Sequence, residues 1–208
     1  MPTAKKATKA QRRAPKQARS QDTVDAILVG SAQLLRDDGY VGLTTRSIAE
    51  RAGVSVGSLY QYFDSKEAII RALGAARRAQ VEQTLREALA EFEDIPFAEL
   101  APRLIKVLLR AKQTDPLLEA RLSAALLEID GPCYAADESA PFQALVTEVL
   151  ERHRDELVID EPKTSAMVIV RAFQGVLSGV VAENYDLDDP GLVEGLNGMM
   201  RGFLREPT

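Results

Sequence analysis

Cysteine and histidine are almost absent from this chain, which holds one of each in 208 residues. The lone Cys133 excludes an internal disulfide framework and suits a reducing cytoplasm. With His153 as the only imidazole, a zinc site built from Cys and His has too few ligands. No stretch reaches about 18 uninterrupted apolar residues, so no membrane span is indicated. The N-terminus is basic but lacks the apolar segment of a secretory signal. No glycine-rich phosphate loop and no nucleophile motif appears, so neither nucleotide chemistry nor covalent catalysis has a foothold. Aromatic residues make up only 5% of the chain, which leaves both apolar and cationic ligands open. The chain is 46% hydrophobic, enough for a real core in one or two small domains.

A net charge of −5 speaks against a nucleic-acid partner until the charges are located. Residues 1–20 carry seven basic side chains (Lys5, Lys6, Lys9, Arg12, Arg13, Lys16, Arg19) and no acid. Seven of the 26 basic residues thus lie in the tail, and the remainder sets 19 basic against 31 acidic residues, a net of −12. The asymmetry says more than the sum. Without apolar periodicity, residues 1–20 read as a disordered basic tail. Such a tail either aids solubility or lies along DNA, where its attraction to phosphates is sequence-blind and salt-sensitive.

The rest of the chain is organised around residues 44–63, continued by Asp64, Ser65 and Lys66. Thr44 and Thr45 are suited to cap a short helix in which Ile48, Ala49 and Ala52 share a face. Gly53 stands where a left-handed residue would end it. Ser55 can cap a second helix with Leu59 and Phe63 turned inward, and Asp64 with Glu67 fits a capping box for a third. This is a helix-turn-helix, able to place its second helix in the major groove. The outward positions Val56, Gly57, Ser58, Gln61 and Tyr62 carry no formal charge, which suits base edges better than bulk attraction. Arg46 and Lys66 flank them.

The residues Thr44-Thr45, Ile48-Ala49, Ala52-Gly53-Val54-Ser55, Gly57-Ser58-Leu59-Tyr60-Gln61-Tyr62-Phe63 and Lys66-Glu67 resemble the DNA-binding domain of the TetR family of bacterial regulators. The resemblance spans residues 21–73; beyond them it is architectural. It implies that Thr45, Arg46, Val56, Gly57, Ser58, Tyr60, Gln61, Tyr62 and Lys66 contact an operator. Val56 stands where a polar residue is common and can offer only apolar contact, for example to a thymine methyl. Tyr62 stands where His is common, which leaves the geometry of a phosphate contact open.

Elsewhere, periodicity and punctuation mark helices over about 21–37, 65–92, 102–113, 141–157 and 162–185. Two more begin at Asp115-Pro116 and Asp189-Pro190. With the helix-turn-helix this makes nine helices and an all-α fold. The tail, 1–20, precedes a reader domain at 21–81 and a helical bundle at 82–208, with helix 4 as the bridge. Residues 162–185 are apolar on nearly every side, which predicts burial all round. Gly175 and Gly179 are four apart, and Gly191, Gly195, Gly198 and Gly202 share one face of the last helix. A dimer interface is expected there, at Phe173, Gly175, Gly179, Gly195, Gly198 and Gly202. Leu104, Leu108, Leu122, Leu126, Phe142, Val146, Phe173 and Leu177 either line a ligand pocket or form plain core.

The reading is a cytoplasmic, homodimeric regulator of transcription. It is expected to act as a repressor released from a palindromic double-stranded operator by a small-molecule effector. It needs no cofactor, no metal, no catalytic residue and no membrane. An architectural DNA binder without sensing is the alternative, and an all-α enzyme is a third reading. The enzyme has little to stand on, because His153 lies in the charged run ERHRDE and reads as a solvated surface residue beside Glu151, Asp155 and Glu156. The acidic loop Asp186 to Asp189 reads as a helix cap rather than a metal site.

Overall fold

Alanine, lysine, arginine and glutamine are good helix formers and dominate residues 9–19, and the first helix begins among them. The computed structural model describes residues 9–131, 139–183 and 185–204. Helix α1 is Lys9–Gly42, so residues 9–19 are helical rather than disordered, and the expected start near Gln21 is corrected. Helix formers need no apolar stripe to coil, and the stripe was the signal the sequence reading followed. The irregular segment expected from Cys133 lies outside the described residues up to Ser139, as do residues 1–8 of the tail. Nine α-helices and one 3-10 turn occur among the described residues, with no extended strand.

The chain divides into two compact units at Leu73/Gly74, inside α4 (Lys66–Glu91). In the first unit, α1 interrupts its helical path at Gly39, whose φ of 73° only glycine adopts without strain. Tyr40 and Leu43 turn back from there, and Leu43 is buried. The core joins Ile27, Leu34 and Leu35 of α1 to Ile48 and Ala49 of α2 (Thr45–Arg51), Leu59 of α3 (Val56–Leu59), and Ile69 and Ile70 of α4. Gly30 lies where α1 meets the end of α2. A Cβ there would stand 3.1 Å from the backbone nitrogen of Ala52.

In the second unit, α5 (Phe97–Gln113) starts earlier than the expected Pro102, which falls inside the helix. The Phe97 amide donates to Glu156 Oε2 at 2.7 Å, so a carboxylate remote in sequence caps a start that local signals did not mark. Helix α6 (Pro116–Asp130) opens as expected, with Asp115 accepting from the Leu118 amide. Helix α7 (Ala140–Arg152) stops short of the expected 157 and passes into a 3-10 turn, Arg154–Glu156. Helices α8 (Pro162–Ala182) and α9 (Pro190–Phe203) complete the unit. Asp189 caps α9 through the Leu192 amide. Helix α8 packs on α6 and α7, and α5 packs on α6 and α9, around Leu100, Ile105, Leu150, Ala166 and Leu196.

Two further expectations fail in this unit. His153 is buried, at 6% exposure. Its Nδ1 lies 2.7 Å from Glu156 Oε1, and its ring meets Phe97 edge-on at 5.8 Å between centroids. The chain turns inward as α7 ends, which carries the histidine out of the charged run around it. The second failure concerns α8, which is not buried all round. Ala166, Ile169, Phe173 and Leu177 face the core, whereas Met167, Val168 and Val176 are exposed at 45%, 39% and 37%. Helix α8 is long and apolar enough to cross a membrane by composition, over Pro162–Val181, yet Arg171 interrupts it and one face packs into this core. Gly175, Gly179, Gly195, Gly198 and Gly202 are exposed as well, and a Cβ on any of them would meet nothing within 4 Å. Among the described residues of one chain, then, none packs on the bare backbone.

Candidate nucleic-acid interface and cavity

Local hydrogen bonds fix the helix-turn-helix. The Ser47 amide donates to Thr44 Oγ1 at 3.0 Å while the Thr44 amide donates to Ser47 Oγ at 3.1 Å, a reciprocal cap of α2. Gly53, at φ 69°, makes the turn. The Ser58 amide donates to Ser55 Oγ at 3.0 Å and starts α3. Only Val56–Leu59 are α-helical, but the amides of Gln61 and Tyr62 still bond to Ser58 and Leu59, so the coil tightens and continues to Phe63. Thr45, expected as a second cap, is the first residue of α2 and pairs its hydroxyl with Tyr60 OH at 3.1 Å. Ser65 replaces Asp64 as the cap of α4, accepting from the Ala68 amide at 3.1 Å.

The resulting face is polar and uncharged. Val56, Gly57, Tyr60 and Gln61 are exposed; Thr45, Ser58 and Tyr62 are half-buried. Ser58 Oγ also lies 2.8 Å from Ser55 Oγ. Arg46 is exposed beside them, and Lys66 is half-buried. The Lys66 ammonium sits 4.2 Å above the Tyr40 ring and donates to the carbonyls of Tyr40 and Leu43, both at 3.4 Å. Tyr40 in turn donates to Glu67 Oε1 at 3.0 Å. Glu67 is held below the usual carboxylate range by its own backbone amide, opposed by burial and aided by Tyr40, Ser65 and Lys66. Lys66 therefore holds the end of α1 to the start of α4, a role its sequence position gave no hint of.

A cavity of about 570 Å³ lies within the second unit. All eight apolar residues named from the sequence line it: Leu104, Leu108, Leu122, Leu126, Phe142, Val146, Phe173 and Leu177. Phe173 consequently belongs to this wall and not to the outward face with the glycines. Sequence reasoning missed the polar part of the lining. Glu119 of α6 is only 4% exposed and is bridged by Arg77, at 2.9 Å to Oε1, and by Lys112, at 2.7 Å to Oε2. Arg78 and Gln174 also line the cavity, and Gln174 Oε1 is buried without a donor among the described residues. The missed signal was Glu119 sharing the α6 face of Leu122 and Leu126, three and seven residues on.

The sequence model for bacterial regulatory proteins of the tetR family matches residues 27–73, and that of a tetracyclin repressor-like C-terminal domain matches residues 96–204. The chain belongs to the TetR family. This regulator is 31% identical to the HTH-type transcriptional repressor KstR of Mycobacterium tuberculosis over 158 residues, 75% of this chain and 68% of that one. It is 44% identical to the class C tetracycline repressor of Escherichia coli over 52 residues, 25% of this chain and 24% of that one. Thermus thermophilus FadR, solved in complex with lauroyl-CoA, shares its fold with a TM-score of 0.65 at 21% identity, covering 86% of this chain and 92% of that one. Reduced E. coli NemR has a TM-score of 0.66 at 22% identity, covering 89% and 100%. The long match to KstR and the shorter match to the tetracycline repressor both make this TetR-family chain a DNA-binding transcriptional regulator.

Proposed function

We propose that this regulator is a cytoplasmic homodimeric repressor that binds a palindromic operator and releases it when a small molecule occupies the cavity of the second unit. The observation that carries the proposal is the uncharged, hydrogen-bonding face of α3, flanked by Arg46, in one unit, together with an apolar cavity in the other. Gln61 and Val56 read base edges, with Gly57 and Ser58 close to the backbone. Thr45, Arg46, Tyr60, Tyr62 and Lys66 position the fold on phosphates. The exposed glycine face of α8 and α9 pairs with a second copy through a two-fold axis, so the operator repeats each half-site.

A cavity of this size falls in the range of small-molecule sites. Helix α4 contributes residues to both units, and we take it as the link between ligand and operator. The link requires differential binding: a ligand weakens operator binding by the factor by which operator weakens ligand binding. Selecting double-stranded DNA from a random pool tests the reading. A recovered inverted repeat supports a dimeric, sequence-specific repressor. Recovery of unrelated sequences at equal affinity would leave an architectural binder instead.

A further inference from the structure

Apolar side chains make most of the cavity wall, and its charges gather on four residues, Arg77, Arg78, Lys112 and Glu119. Three are cations, and among the described residues that line the cavity Glu119 is the only acid. Arg77, Lys112 and Glu119 form one cluster that is largely withdrawn from water, with side chains 19%, 28% and 5% exposed. The Arg77 guanidinium places Nε at 3.0 Å and Nη2 at 2.9 Å from Glu119 Oε1. It spends Nη1 on Gln80 at 3.0 Å. Lys112 gives one N–H to Glu119 Oε2, and an ammonium has three.

The electrostatic account of this cluster does not close among the described residues. Two cations held this far out of water need compensation, because burying a charge is costly unless it is paired. Glu119 compensates one of them and holds both heads at the cavity wall against their mutual repulsion. A second anion would complete the pairing, and no second carboxylate among the described residues of the wall offers it. The rest of the wall, including Leu104, Phe142 and Phe173, rewards only apolar surface.

We propose that the ligand of this cavity is an amphiphile with one carboxylate, its apolar body among the leucines and phenylalanines and its carboxylate on Lys112 and Arg77. The proposal rests on the reading of the cavity as the effector site and adds the chemical class. It also assigns Glu119 a role, as the residue that positions both cations.

Three ten-carbon probes that differ only in their head group test this: decanoate, decan-1-ol and decyltrimethylammonium, each below its micellar concentration. Their affinities are measured by calorimetry, and their effect on a selected operator duplex by fluorescence anisotropy. Decanoate is expected to bind at least about tenfold more tightly than decanol, as a charge-assisted hydrogen bond in a largely buried site requires. Lys112→Met should bring the decanoate-to-decanol ratio close to one and leave decanol unchanged. Glu119→Gln should raise that ratio. Ratios taken within one variant cancel a loss of folded fraction, and Lys112→Arg, which keeps the charge, should preserve the preference. Decanol binding as tightly as decanoate overturns the carboxylate assignment but leaves an apolar effector site standing. Tightest binding of decyltrimethylammonium overturns it in favour of Glu119 as the recogniser. If decanoate binds with the expected preference but leaves operator affinity unchanged, the ligand class holds and the effector reading falls. If none of the probes binds, both fall.

Discussion

Replacing Gly195 and Gly198 together with alanine separates two descriptions of α9 by the sign of the result. Both positions lie inside the helix, and a Cβ at either meets nothing within 4 Å in one chain. If the face meets only water, each substitution gains the helix propensity that glycine lacks, about 0.5–1 kcal/mol. The pair would then stabilise the protein by about 1–2 kcal/mol and raise the melting temperature by about 2–4 °C per kcal/mol. If a second copy packs on this face, each methyl enters a filled interface, where overpacking costs about 1–3 kcal/mol. The second outcome is expected, because Gly175, Gly179, Gly195, Gly198 and Gly202 leave bare exposed backbone on α8 and α9, and α8 also exposes Met167, Val168 and Val176. Sedimentation velocity should show the variant shifting toward monomer at low micromolar protein. Its urea midpoint should fall and depend more steeply on protein concentration. A variant that is stabilised by 1–2 kcal/mol and remains as dimeric as the parent would refute the placement of the dimer on this face.

Other perturbations give equally specific outcomes. Gln61→Ala should weaken the preferred operator by about 1–3 kcal/mol and relax preference at one position of each half-site, read on a library of single-base changes. Lys66→Ala should weaken all sequences alike and lower the salt slope; it should also lower the urea midpoint of the free protein, because the carbonyls of Tyr40 and Leu43 lose their cation. Gly30→Ala should destabilise rather than stabilise, since its Cβ presses on the Ala52 backbone at 3.1 Å, and thermal denaturation beside a Gly57→Ala control checks the sign. Glu156 is held below the usual carboxylate range by the hydrogen bond to His153 and then by the Phe97 amide. The stability it lends is therefore present above the unfolded value of 4.5 and is lost as pH falls through the lower folded value. Urea midpoints across acid pH should fall more steeply for the parent than for Glu156→Gln.

The helix-turn-helix was legible because everything that fixes it is local. Thr44, Gly53 and Ser55 act on amides within a few residues of themselves, and Ile48, Ala49 and Leu59 keep helical spacing into one core. The inward direction of the cavity's apolar residues was legible for a similar reason, since periodicity sorts inward from outward along α5, α6 and α7, but it left pocket and plain core equally open. Contacts between distant residues were not. Glu119 meets Arg77 across 42 residues and Glu156 meets Phe97 across 59, so a buried acid and a remote helix cap look like surface charge in a string of letters. The start of α1 was missed because helix propensity without an apolar stripe resembles a disordered tail. The outer face of α8 failed in the opposite direction: sequence shows which side chains are apolar, not whether one chain supplies enough neighbours to cover them.

His153 has a practical use beyond its place in the fold. It is the chain's sole histidine, and the protein contains no tryptophan. Its ring lies against Phe97, and Phe97 is itself part of the cavity wall. In untagged protein in D2O, the imidazole Hε1 gives a single resonance downfield of the Phe and Tyr ring protons, placed in the ring current of a side chain that a bound molecule would touch. A titration followed by that single signal would report occupancy of the cavity without a label, a mutation or any knowledge of the operator.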